Sequence, residues 1–168
     1  LPAWPIAGTT GYDFLAVAGG LFLDPAGEQP MSAAYREFTG ETADFAAVAS
    51  RARLEIARSS FAAEVSVLAA ALYRLAQRDR RYRDITLTAF RDAIEAMLAS
   101  FPVYRTYFQG DEPRDTDGGL VAAAAVAAAK LEPSVPPGAF EFLRRTLLLD
   151  FGGVFPGDRA SLLSFGRR

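Results

Sequence analysis

The chain has 168 residues, enough for one domain, and half of them are hydrophobic, with thirteen Phe and six Tyr. A net charge of −2 and a pI near 5.2 give no electrostatic footprint for nucleic acid. The sequence contains neither cysteine nor histidine. That excludes disulfides, thiolate and imidazole metal sites, and the nucleophilic triads that need His. Carboxylates, Tyr, Arg and the single Lys130 are left for any chemistry.

In chain order, Leu1 to Gly8 carries two prolines and reads as an extended or looped opening. A helix is predicted from Tyr12 to about Ala18, with Thr10 as cap and Asp13 completing a variant capping box. Asp24-Pro25-Ala26-Gly27 reads as a turn, and a short helix from about Pro30 to Phe38 is stopped by Gly40. Thr42 to Gln77 is helical by pattern. Phe61, Val65, Leu68, Leu72 and Leu75 recur at steps of four and three, and Phe45, Val48, Ala52 and Ile56 make a weaker stripe before them. Ser59-Ser60 marks a candidate break. A charged connector with Arg78, Arg80, Arg81 and Arg83 leads to a helix from about Thr86 to Ser100 that buries Phe90, Ile94 and Met97.

Phe101 to Phe108 alternates β-branched and aromatic residues behind a proline, which predicts a short strand. A polar loop from Gly110 to Gly119 follows, then an Ala-rich helix (Leu120–Leu131), a proline loop, a helix (Phe140–Phe151) and an irregular tail. The predicted class is mainly α, one domain over residues 1–168, with at most one or two short strands. No run of 18 strongly apolar residues marks a membrane span, and no signal peptide is legible. The start, without Met, reads as the interior of a longer protein.

Few clusters point to chemistry. Asp111, Glu112, Asp115 and Asp117 crowd one segment that reads as a solvated loop, and their spacing does not meet a calcium loop's needs. The arginines at 78–83 lack interleaved aromatics beyond Tyr82 and read as a connector. Gly8-Thr9-Thr10-Gly11 fits neither phosphate-binding fingerprint. Its hydroxyls, with Tyr12 and Asp13 next, are a mixture that suits sugars: a ring face for stacking and a carboxylate for hydroxyl donors. Phe101 to Tyr107 has the same character, with Arg105 in need of a partner.

Gly8-Thr9-Thr10-Gly11-Tyr12-Asp13-Phe14-Leu15, then Gly20-Leu21-Phe22-Leu23-Asp24-Pro25 and Phe38-Thr39-Gly40, resembles maltooligosyltrehalose synthase. Phe101-Pro102-Val103-Tyr104-Arg105-Thr106-Tyr107 is similar to a second signature of that family, in the same order and at about the same separation. Ala16 departs from the Asn usual in the family. The resemblance implies an α-amylase-superfamily parent with a (β/α)8 barrel. Such an enzyme isomerises the reducing-end α-1,4 linkage of a maltooligosaccharide to an α,α-1,1 linkage by a retaining mechanism.

On this reading the chain is a helical subdomain inserted in the barrel, and segments 1–14 and 101–108 approach the active site. The catalytic carboxylates lie outside it, so no catalytic residue is assigned here and the chain alone is expected to be inactive. Substrate-binding candidates are Tyr12, Asp13, Tyr104, Arg105 and Tyr107. The implied partners are a maltooligosaccharide and the rest of the barrel, without cofactor, metal, nucleic acid or membrane, in the cytoplasm. The competing reading is a non-enzymatic helical interaction module, supported by the amphipathic stretch from Phe45 to Gln77. Barrel strands on either side in the parent reading frame would favour the first reading, and a receptor or DNA-binding domain the second.

Overall fold

The computed structural model describes residues 7–8, 11–104, 106, 115–151 and 165. Its contacts divide the chain into two compact units, residues 1–44 and 45–168, a division that the sequence did not announce. In the first unit, helix α1 (Tyr12–Gly20) leads through a 3-10 turn (Pro25–Gly27) into α2 (Glu28–Thr39). The Asp24 carboxylate accepts from the Ala26 amide at 3.0 Å and opens that turn. Gly40 ends α2 in the left-handed conformation (φ 71°), its amide donating to the Arg36 carbonyl at 2.8 Å. The cap predicted for α1 is replaced. Gly11 is its N-cap, left-handed at φ 79° with no side-chain hydrogen bond, and Thr10 lies outside the described residues. The helix also continues through Gly19-Gly20.

In the second unit, α3 (Phe45–Arg58) and α4 (Ala62–Ala76) replace the long helical stretch, with their axes bent by 82° across Ser59–Phe61. The break at Ser59-Ser60 falls where the sequence placed it. Helix α5 (Leu87–Ser100) is central and packs against α3, α4, α6 (Asp115–Leu131) and α7 (Pro137–Leu147). Thr86 caps α5, accepting from the Ala89 amide at 3.1 Å, and Phe90, Ile94 and Met97 are buried as the spacing predicted. They join Val65, Leu72, Val121, Phe140, Phe142 and Leu143 in one core. Burial of such side chains is the main stabilising term, about 1.5–3 kcal/mol each.

Three expectations need correction. Of the strand expected over Phe101–Phe108, Phe101–Tyr104 and Thr106 form none, with bends at Pro102–Tyr104, and Arg105, Tyr107 and Phe108 lie outside the described residues; among the described residues there is no strand anywhere. Pro102 has no N–H to give a ladder, and among the described residues no strand stands ready to pair with it. Helix α6 begins at Asp115, inside the predicted loop, and Asp117 is buried. The α3 stripe is displaced: Phe45 and Ile56 face out, whereas Ala57 is buried and Val48, Ala49 and Leu54 are half-buried.

The connector after α4 is more than a solvated link. Tyr82 is buried, its hydroxyl donating to Glu141 Oε1 at 2.9 Å and accepting from Arg145 Nη1 at 3.2 Å. Burial above all raises the Tyr82 hydroxyl above its ordinary pKa. Asp79, also buried, accepts from Arg81 through the side-chain Nε, Nη2 and the backbone amide. These bonds hold its carboxyl below the usual range, with the Arg81 side chain the largest cause and burial opposing.

A depressed pKa contributes stability above the unfolded value of about 3.9, and loses it as pH falls through the folded one. Stability is therefore expected to drop below about pH 4. Asp79→Asn should shrink that drop and lower stability at neutral pH, as read from urea midpoints between pH 2 and 7.

At the end of α7, Leu149 is left-handed (φ 55°), where glycine is usual. Its strain, about 1–2 kcal/mol, is offset by a side chain packed against the core. Among the described residues no single helix is long and apolar enough to cross a membrane.

Candidate functional site

The residues singled out for sugar binding fall in both units. Tyr12 and Asp13 form the first turn of α1, which Gly11 makes possible by turning the chain with a positive φ. The Tyr12 side chain is 78% exposed, so its ring is open to a ligand. Asp13 sits where the positive end of the helix favours a carboxylate. Tyr104 belongs to the second unit, in the bend after α5, and is 93% exposed. Arg105 and Tyr107 lie outside the described residues.

A second constellation comes from the packing. Arg58, the last residue of α3, donates Nε to Glu95 Oε2 at 2.8 Å and Nη2 to Glu132 Oε1 at 2.6 Å. Glu95 sits on the buried face of α5 with its side chain only 7% exposed, and Arg91 one turn earlier reaches its other oxygen at 3.7 Å. These groups, with Asp92, Ser66 and Ala62, surround a polar cavity of about 310 Å³. The hydrogen bonds that it donates to Glu95 and then Glu132 raise the Arg58 guanidinium above its ordinary pKa.

Donors and acceptors in this cavity satisfy one another. The Ser66 hydroxyl donates to the Ala62 carbonyl of its own helix at 2.7 Å. No buried side-chain N or O among the described residues lacks a partner. The cluster therefore acts as a clamp joining the end of α3 to α5 and to the residue after α6. Among the described residues no group of three potential ligands is placed to hold a metal ion.

Sequence reasoning missed both networks. Glu95 lies 37 residues from Arg58, and Tyr82 lies 59 from Glu141. A signal was present in each case: a Glu inside the apolar stripe of α5, and a lone Tyr among arginines. Both are polar groups in places where burial demands a partner.

Fold and clusters together define a mainly helical unit built on one central helix and pinned by charged bonds at its edge. No family model matches the sequence, and neither a curated protein nor a solved structure is significantly similar to it.

Proposed function

We propose that the chain is a helical insert of an enzyme of the maltooligosyltrehalose synthase type, which isomerises the reducing-end α-1,4 linkage of a maltooligosaccharide to a trehalosyl linkage. The observation that carries this reading is the pair of motifs, Gly8–Leu15 and Phe101–Tyr107, in the family's order and separation. The helical architecture and the open rings of Tyr12 and Tyr104 are compatible with it.

The role assigned to these residues follows from the reaction. In an intramolecular transfer the freed glucose must stay and turn over while the glycosyl-enzyme persists, so that its anomeric hydroxyl attacks before water does. Flat ring faces such as Tyr12 and Tyr104 stack on a sugar while permitting rotation. Asp13 accepts from its hydroxyls. Arg105, with a planar fork of donors, fixes a carboxylate or a backbone carbonyl.

The test uses the intact enzyme and compares free glucose with trehalosyl product. Each stack is worth about 1 kcal/mol, so Tyr12→Ala and Tyr104→Ala should each raise hydrolysis relative to isomerisation roughly fivefold. An unchanged ratio, with both activities falling together with stability, would assign the tyrosines to packing and remove this reading.

A further inference from the structure

We infer that the groove between the first half of α3 and the last turns of α5 and α6 is a docking site for an acidic amphipathic helix of a protein partner. The inference is independent of the function proposed above. The groove has a volume of about 560 Å³, with Ala49 and Ala127 among the small residues along it and Phe45, Phe101, Arg53 and Lys130 around it. Phe45 is 85% exposed, a large apolar side chain with little of its own unit to cover it. Small residues let a helix approach closely, and an apolar anchor fills the space above them.

The charge of the occupant follows from the polar side chains. Among the described residues Arg53 and Lys130 have no carboxylate partner, whereas Arg58, Arg81, Arg91 and Arg144 each have at least one. Arg53 uses one N–H on the Phe101 carbonyl at 3.2 Å, which leaves most of its donors available. Among the described residues no carboxylate lines the groove. A neutral sugar wants acceptors beside donors. Two cations beside an apolar trough instead complement carboxylates flanking apolar anchors. Lys130 also suits the negative end of α6, but that role leaves its ammonium open to a second acceptor.

The experiment pans a display library of random helical peptides against the 168-residue chain and measures the enriched peptides by fluorescence anisotropy. Enrichment of sequences with apolar residues at i and i+3 or i+4 beside Asp or Glu is expected. Arg53→Glu/Lys130→Glu should weaken them at least tenfold, and the same peptides with Lys for Glu should bind that variant instead. Ala49→Trp, which fills the trough and leaves both cations, should also abolish binding, with circular dichroism confirming that each variant is folded. The inference is overturned by a consensus without acidic residues, by binding indifferent to the charge reversal, or by no enrichment. It is equally overturned if sedimentation shows a second copy of the chain filling the groove, or if anionic phospholipid vesicles bind through the two cations where peptides do not.

Discussion

Phe142→Ala is expected to lower the unfolding free energy by about 3–5 kcal/mol, measured by urea denaturation at neutral pH. Phe142 is fully buried on α7, at the meeting point of three other rings. Its centroid lies 4.8 Å from Tyr82, 5.7 Å from Phe90 and 6.0 Å from Phe151, all in tilted arrangements. Truncation removes the transfer energy of the ring, the contacts with the three tilted rings and the packing of the cavity lining at once. Those contacts join α7 to α5 and to the connector, so the remaining side chains cannot collapse without moving a helix. Phe142→Leu keeps most of the volume and should cost less than half as much. A loss below about 1 kcal/mol in the Ala variant would mean that this ring is not at the centre of the core.

Arg58→Ala should destabilise the chain by about 2–3 kcal/mol, more than the change at Glu95 that removes the same bond. The asymmetry arises from exposure. Without Arg58, Glu95 stays buried with only Arg91 near it at 3.7 Å, and a buried carboxylate without a close donor is costly. Glu95→Leu instead removes the charge and fills its space with apolar volume. Arg58, 46% exposed, then turns to water and retains Glu132. That variant should cost no more than about 1 kcal/mol. Equal effects of the two substitutions would show that the bond, and not the stranded charge, carries the energy. Amide exchange gives an independent check: loss of the clamp should speed exchange in α3 more than in α4, because α3 is the helix that the clamp fastens.

The sequence by itself determined the helical class and much of the core. Phe90, Ile94 and Met97, and Val65, Leu72 and Leu75, recur at steps of three, four and seven and are buried as that helical spacing predicts, while Phe61, first in the second stripe, stays 53% exposed at the start of α4. Stops at Gly40 and the break at Ser59-Ser60 were legible for a local reason: glycine tolerates a left-handed turn, and serine competes for backbone bonds. Ser59, at the break, in fact donates its hydroxyl to the Glu55 carbonyl one turn back.

For the candidate site, the sequence supplied residue types: a Tyr-Asp pair at a helix start and an aromatic segment after α5. It did not supply their surroundings. The tertiary structure decided which side of α3 is covered, since α3 packs against α5 with Ala57 buried and with Phe45 and Ile56 outside. It decided that Tyr82 and Asp79 sink from an arginine-rich connector and that Asp117 is buried in α6. It also decided that Phe101–Tyr104 bends, because a strand exists only where another pairs with it. Periodicity reports a residue's neighbours one turn away. The partners of Arg58, 37 and 74 residues distant, are set only when helices pack.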